Sequence, residues 1–297
     1  MGHEDPSERD AMKLGCTPNM LRPAAGAAPI IGEIERAADF GLKSIMAIFL
    51  FIDPKDRSQA FFDSVAEASQ RRGVELRLGS IVQAGSPDPE VRKRDVEREI
   101  AALREGHEKA GIGFASVANW PMSHTRWAPE PPMDERIDII AENLATIADA
   151  VPGMLLGVEN HCDYRGYEIA AMLEKANRPN LKAQLDTGNA FTVFEDPIDC
   201  AKALAKWTVS VHLKDVRVTP FVPAGPAPGI RGEAVPLGQG MVDNAAICQI
   251  LSEQAPDPKS IRLVMEPLYM PEGIDPEQDF LVPSIAWARE KLAAYLD

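Results

Sequence analysis

Eight short apolar or β-branched segments alternate with longer segments of helical character along almost the whole chain of 297 residues. The predicted strands cover residues 13–17, 43–50, 75–81, 113–119, 154–160, 181–186, 209–214 and 261–266. The predicted helices cover residues 29–40, 56–72, 89–110, 134–150, 167–176, 197–206, 243–254 and 280–295. Eight strand–helix units in series predict a single α/β domain, a (β/α)8 TIM barrel with its parallel strands inside and its helices outside. An open, doubly wound sheet is the alternative.

One connection between these units is unusually long. Residues 218–240 follow the seventh predicted strand and are rich in Pro and Gly. This composition disfavours a helix, so we predict a long Pro/Gly-rich loop that folds over the mouth of the barrel as a lid. A surface excursion with no role at the mouth is the alternative.

The charge balance and the amino-terminal segment limit the protein class. The chain has 31 basic and 45 acidic side chains and a net charge of −14, which argues against general binding to nucleic acids. Its longest apolar run, residues 45–52, is far shorter than the roughly 20 residues of a membrane-spanning helix. Residues 1–11 are polar and lack the features of a signal peptide. We therefore expect a polar leader or tag-like segment, a barrel over residues 12–297 and a cytoplasmic location.

Four predicted strands end abruptly in an ionisable side chain. Glu159, Asp186, His212 and Glu266 lie at the ends of the segments LLGVENH, KAQLDTGN, VSVHLKD and RLVMEP. A barrel brings the carboxyl ends of its strands to one mouth, so these side chains are expected to converge. Three carboxylates and one imidazole suit a single divalent ion, Mn, Mg or Co more naturally than Zn, because hard oxygen donors dominate. Without an ion, the carboxylates would repel one another.

These motifs carry a resemblance. In this order LGVENH, LDTGN, VHLKD followed by PLGQG, and VMEP resemble the xylose isomerase-like TIM barrel superfamily of sugar isomerases and epimerases. The sequence is most similar to the branch with the tagatose and psicose 3-epimerases, hydroxypyruvate isomerases and inosose dehydratases. The resemblance implies that Glu159, Asp186, His212 and Glu266 bind the metal. It also implies that Glu159 and Glu266 are catalytic and exchange a proton next to a carbonyl group through an enediolate.

Two candidates for substrate binding follow from the alternation of side chains along a strand. Residues two apart share a face, so His161 is expected beside Glu159 and Lys214 beside His212. His161 is expected to contact the substrate, directly or through another residue. Lys214 could bind a carboxylate or stabilise an oxyanion. A structural role is the alternative for both residues.

Three further substrate-binding candidates come from the resemblance or from a strand end. Arg217 matches the position of a substrate-binding Arg in the epimerases, and a surface charge that anchors the lid is its alternative role. Asn189 stands where those epimerases have His, and an amide cannot carry a proton in catalysis. Trp120 follows a predicted strand end and could stack on a sugar face, although packing in the core is common for such residues.

The resulting functional prediction is a metal-dependent isomerase or epimerase that acts on a ketose or an oxo sugar acid. A lyase of the same superfamily is the alternative, either a decarboxylase of an oxo sugar acid, a dehydratase or an eliminase of a keto-glycoside. A non-catalytic binding barrel is less favoured. The superfamily also includes DNA endonucleases, but residues 4–106 contain no His and Asn189 replaces another expected His, which argues against that activity. We expect a carbohydrate or sugar acid substrate, no nucleic-acid or membrane partner, and a homo-oligomer, dimer or tetramer, as the resemblance implies.

Overall fold

Eight parallel strands close into a barrel in the computed structural model, which describes residues 11–22, 29–47, 57–119, 126, 130–221, 229–267, 270 and 272–296. The barrel strands are β1 Lys13–Cys16, β2 Ser44–Ala47, β3 Glu75–Val82, β4 Phe114–Asn119, β5 Leu155–Glu159, β6 Leu181–Asp186, β7 Thr208–Leu213 and β10 Arg262–Met265. They neighbour one another in chain order, and β10 pairs with both β7 and β1 to close the barrel. The predicted (β/α)8 TIM barrel is therefore confirmed.

Helices lie between the strands, as the alternation predicts. They are α1 Pro29–Asp39, α2 Gln59–Arg72, α3 Pro89–Ala110, α4 Met133–Ala150, α5 Gly166–Ala176, α6 Pro197–Leu204, α7 Asn244–Gln254 and α8 Val282–Lys291. Helix α3 shows why its bounds could be predicted: Asp88 accepts a hydrogen bond from the Glu90 N–H at 2.9 Å, Pro89 opens the helix, and Gly111 ends it at a φ of 68°. No helix in the described ranges has both the length and the apolar character needed to cross a membrane.

Two regions differ from the predicted elements. Strands β8 Val216–Phe221 and β9 Gly229–Ala234 form an antiparallel hairpin, an element that the Pro/Gly-rich composition of residues 218–240 did not predict. The last helix ends at Lys291 rather than at residue 295, and a π-helical segment, Pro276–Leu281, precedes it. Parts of three predicted segments lie outside the described residues: 48–50 of the second strand, 56 of the second helix and 1–10 of the leader.

Packed side chains fill the barrel interior near the amino-terminal ends of the strands. Phe114, the first residue of β4, packs there against Met46 and Val264, which lie further along β2 and β10, in a small apolar cluster apart from the main core. The guanidinium carbon of Arg77 lies 3.5 Å from the centre of the Phe114 ring, and burial lowers the pKa of Arg77 to about 10. The packed end leaves the carboxyl ends of the strands for ligand binding.

Buried Glu99 on α3 predicts a pH-dependent stability. Burial raises its pKa from 4.5 to about 7, although the nearby Ser80 hydroxyl and the Arg98 charge act in the opposite direction. Because the folded chain holds the Glu99 proton more tightly than the unfolded chain, the contribution of Glu99 to the free energy of unfolding is fully present below pH 4.5 and falls as the pH rises towards 7. We expect the Glu99 contribution to fall by about 3 kcal/mol over this range.

The measurement is urea denaturation across this pH range. Glu99→Gln should remove this part of the pH dependence and should be more stable than the wild type at pH 8. Glu97→Gln, at an exposed position on the same helix, is the matched control and should keep the wild-type dependence. Equal pH dependence in the wild type and Glu99→Gln would contradict the prediction.

Candidate metal centre and active site

Strand register brings the four predicted metal ligands together at the mouth of the barrel. Glu159 and Asp186 end β5 and β6, and Asp186 lies beside His212 in the pairing of β6 with β7. Glu266 directly follows β10, and its backbone N–H donates to the Leu213 carbonyl oxygen at 3.0 Å. One ligand atom from each of the four residues lies within 4.8 Å of the others.

The His212 ring lies among the three carboxylates. Its Nδ1 is 2.8 Å from Glu266 Oε2, 3.4 Å from Glu159 Oε1 and 3.8 Å from Asp186 Oδ2. Glu159, Asp186 and His212 are buried, whereas Glu266 keeps a quarter of its side chain exposed. The group is therefore enclosed by protein but reachable from the mouth through Glu266.

The electrostatics of the group favour a positive charge at its centre. Burial by itself raises the pKa of Glu159 and of Glu266, but the neighbouring His212 outweighs it and holds both pKa values below the ordinary range. Burial lowers the pKa of His212, yet the carboxylates of Glu266 and Glu159 raise it well above its ordinary value. A metal ion would supply this positive charge instead, and the imidazole would lose its proton on binding it.

Backbone donors fix the orientation of Asp186. Its Oδ1 accepts hydrogen bonds from the N–H groups of Gly188 and Asn189, both at 2.9 Å. The amide side chain of Asn160 binds both the N–H and the carbonyl oxygen of Asp186, at 2.7 and 2.9 Å. These bonds leave Oδ2 without a backbone donor, and it faces the ammonium group of Lys214 at 2.5 Å. The sequence alone did not single out Asn160. Asn160 directly follows Glu159 and therefore lies on the opposite face of the strand, which is the pattern that could have identified it.

The donor set fits a single divalent ion. The largest separation of 4.8 Å is about twice a metal–ligand bond of roughly 2.0 to 2.6 Å, so an ion between the four atoms could reach all of them after small side-chain movements. Ser116 Oγ donates to Glu159 Oε2 at 3.1 Å, which leaves Oε1 directed towards His212. Three hard carboxylates and one imidazole are compatible with Mn, Mg, Co or Zn.

Lys214 enters the carboxylate group directly. Its Nζ lies 2.5 Å from Asp186 Oδ2, 3.1 Å from Glu266 Oε2 and 3.3 Å from Asn189 Oδ1. Burial lowers the pKa of Lys214, but Asp186 and Glu266 outweigh it and raise the pKa above its ordinary value. Asn189 also donates to Glu159 Oε1 at 3.4 Å. The structure thus places two predicted substrate-binding residues against the predicted ligands.

A cavity of about 470 Å³ opens beside this group. Half-buried His161 lines it together with Glu159, His212 and Glu266, in agreement with the shared strand face of His161 and Glu159. The volume lies within the roughly 300 to 1,000 Å³ of typical small-molecule sites. The cavity therefore has room for a compound of the size of a sugar or larger.

The remaining candidates lie elsewhere or outside the described residues. Arg217 is exposed on β8, where it pairs in register with Glu233, and it does not line the cavity as far as the described residues define it. Trp120 lies outside the described residues.

Cys162 has a φ of 47°, and its Sγ lies 3.4 Å from Asn189 Oδ1. Burial raises the pKa of Cys162 to about 11, so the side chain is a thiol rather than a reactive thiolate at neutral pH.

The sequence also gave no role to Asp215, which organises the loop before α7. Its Oδ2 accepts hydrogen bonds from the N–H groups of Gly238 and Gly240, at 2.8 and 2.9 Å, and its Oδ1 accepts from those of Val216 and Val242, at 2.9 and 3.1 Å. A Cβ atom at Gly240 would lie 2.1 Å from Asp215 Oδ1, so only Gly fits there. One buried carboxylate, that of Asp215, therefore holds the PLGQG segment next to the four predicted metal ligands.

Replacing Asp215 with Asn is expected to lower the free energy of unfolding by roughly 3 kcal/mol, because the new NH2 group faces N–H donors that lose their acceptor. Urea denaturation measures this difference. Asp243→Asn is the matched control: Asp243 caps α7 through the Ala246 N–H, and Asn caps a helix about as well as Asp. Equal stability of the two variants would contradict the assigned role of Asp215.

The fold and the site define a class: a (β/α)8 barrel with a carboxylate–imidazole group that could hold a metal at the carboxyl ends of its strands. The profile of the xylose isomerase-like TIM barrel family matches residues 34–290, and the chain belongs to that family. A search of curated proteins gives no significant match.

Solved structures support the same fold. An L-ribulose 3-epimerase aligns with a TM-score of 0.65 at 18% identity, over 89% of this chain and 83% of that chain. A D-psicose 3-epimerase, solved in the presence of D-fructose, aligns with a TM-score of 0.69 at 18% identity, over 95% and 98%. The IOLI protein, solved with a bound zinc atom, aligns with a TM-score of 0.74 at 17% identity, over 96% and 99%. At these identities the similarity establishes the fold.

Proposed function

We propose that this protein is a divalent-metal-dependent isomerase or epimerase that moves a proton next to the carbonyl group of a ketose or an oxo sugar acid. One observation carries the proposal: Glu159 and Glu266 line one cavity and approach His212 from strands that are separated by β6 and β7. Two carboxylates placed in this way can act on a substrate from two sides. The family and the epimerase structures with the same fold support the proposal.

The chain supplies the base, the acid and their positioning. A positive charge at the centre of the group, from His212 in the metal-free chain or from a bound ion, favours the ionised form of both glutamates. One of them can then accept a proton from carbon, and the other, once protonated, can return one. Ser116 fixes Glu159, and Lys214 fixes Glu266. A bound divalent ion, held by the four predicted ligands, would polarise the substrate carbonyl and so make the neighbouring C–H more acidic.

Substrate contacts are proposed for five residues. His161 reaches the cavity, and Asn189 and Lys214 lie against the carboxylate group, so these three can donate hydrogen bonds to substrate oxygens. Arg217 and Trp120 remain proposals from the resemblance and from the strand end. The cytoplasmic location and the dimer or tetramer also remain proposals, and light scattering would test the second.

The test combines metal content with solvent exchange. Purified protein should retain about one divalent ion per chain, and in D₂O it should incorporate deuterium next to the carbonyl of a hexulose or an oxo sugar acid from a panel, as followed by NMR. An epimerase returns labelled substrate together with its epimer. A protein that binds no divalent ion and exchanges no proton with Mn, Mg, Co or Zn added would leave a non-catalytic binding barrel.

A lyase is the second candidate, and the placement of Lys214 favours it. An ammonium group 3.1 Å from Glu266 Oε2 can stabilise an oxyanion or bind the carboxylate of an oxo sugar acid. Only one of the two glutamates need then act as a base. Product analysis separates the candidates, since a lyase releases water, CO₂ or an alcohol, whereas an isomerase or epimerase keeps the substrate composition.

A further inference from the structure

The cavity beside the carboxylate group has two chemically different sides. Ionisable side chains from β5, β7 and the end of β10 line one of them. The other side is formed by the ends of β1 to β4 and the start of α1, and its apolar lining residues include Pro18, Ile30, Met46, Ala47, Ile81 and Ala118. In the strand order β3 lies opposite β7, and β4 lies opposite β10. A ligand that reaches the ionisable side therefore extends across the barrel towards an apolar wall.

Polar groups on the apolar side are mostly engaged. Thr17 Oγ1 donates to Asn19 Oδ1 at 2.5 Å, and Ser116 Oγ donates to Glu159 Oε2 at 3.1 Å. The Ser80 hydroxyl is buried beside the Glu99 carboxyl group. Among the described residues on this side, exposed Asn19 and half-buried Glu33 are the polar side chains that could still hydrogen-bond to a ligand. Burial raises the pKa of Glu33, so this environment disfavours ionic groups.

The contrast between the two sides restricts the substrate. A chain of free hydroxyl groups placed against the apolar wall would lose hydrogen bonds to water without replacing them, whereas an apolar group would gain from leaving water. We propose that the substrate is a carbonyl sugar with an uncharged alkyl or aryl substituent at the end remote from its carbonyl. This substituent packs against the wall that includes Ile81 and Ala118. The inference rests on the proposed function for the placement of the carbonyl end.

Two probe pairs test the inference. D-Fructose and its 6-O-benzyl ether report exchange in D₂O with the metal-loaded protein. D-Glucitol and its 6-O-benzyl ether lack a carbonyl group, so calorimetry reports their binding without reaction. We expect the benzyl compound to be preferred by about tenfold or more in each pair, with a negative heat-capacity change on binding, because an aryl group buries a large apolar area.

Matched variants locate the substituent. Ile81→Thr places a hydroxyl group on the apolar wall and should lower the benzyl preference at least about threefold. Ile250→Thr makes the same change at a half-buried position on α7 outside the cavity and should leave that preference unchanged. If benzyl glucitol binds no better than glucitol, or if both variants keep the wild-type preference, the inference is wrong. If neither ketose exchanges but benzyl glucitol still binds more tightly, the proposed function fails and the apolar subsite stands.

Discussion

Replacing Glu159 or Glu266 with Gln is expected to lower the rate of deuterium exchange by about 10²- to 10⁴-fold, the usual contribution of a positioned acid or base. The amide keeps the size of the side chain but cannot accept a proton from carbon. The two carboxylates approach His212 Nδ1 from strands that are separated by β6 and β7, so each substitution removes one of the two groups that can exchange the proton. NMR exchange rates at saturating metal, with the metal content of each variant, measure this effect.

Glu67→Gln, at an exposed position on α2, is the control and should exchange at the wild-type rate. The single variants also separate the two candidate reactions. An epimerase loses product formation with either Gln substitution, whereas a lyase that uses one base keeps much of its rate when the other glutamate is replaced. Rates within threefold of the wild type for both variants, with the metal retained, would exclude both glutamates as the base.

The second large effect is expected on metal binding. Replacing His212 with Ala removes the imidazole at the centre of the group and leaves three carboxylates beside the Lys214 ammonium. We expect the affinity for the divalent ion to fall at least about 100-fold, because even the loss of a residue that only supports a ligand typically costs 10- to 100-fold. Metal content after dialysis and metal titration by calorimetry measure the change.

Thermal unfolding gives an independent readout of the same prediction. A bound ion at 100 times its dissociation constant stabilises the folded state by about 2.7 kcal/mol, and His212→Ala should lose this gain. The control is His107→Ala on α3, since the His107 ring lies away from the site, with Nδ1 2.9 Å from the Ile112 carbonyl oxygen. One tightly held ion per chain in His212→Ala would show that the metal binds without His212.

Local signals predicted the barrel elements where hydrogen bonding is also local. Strand β6 and helix α3 begin and end at the predicted residues. Asp88 and Gly111 satisfy the orphan backbone groups of α3 from within a few residues, so the sequence contains both ends of the helix. The hairpin of β8 and β9 escaped prediction because its pairing joins residues on both sides of a Pro/Gly-rich segment, and no local pattern records that partnership.

The candidate ligands were also accessible to sequence reasoning. Glu159, Asp186, His212 and Glu266 each follow an apolar strand, and the rule that parallel strands end at one mouth predicts their convergence without coordinates. Their contacts with other side chains were not accessible in this way. The 2.5 Å contact of Lys214 Nζ with Asp186 Oδ2 depends on the stagger between β6 and β7, which shifts at residues 183 and 184.

The sequence by itself determined the number and order of the strand–helix units and the four side chains that can share a metal, because these follow from periodicity, capping and strand ends. Tertiary structure alone decided the placement of Lys214 in the carboxylate group, the capture of the PLGQG segment by Asp215, and the apolar wall opposite the ionisable side. The physical reason is the range of the interactions. Hydrogen bonds within a helix join neighbours in the chain, whereas these contacts join side chains that only the closure and register of the barrel bring together.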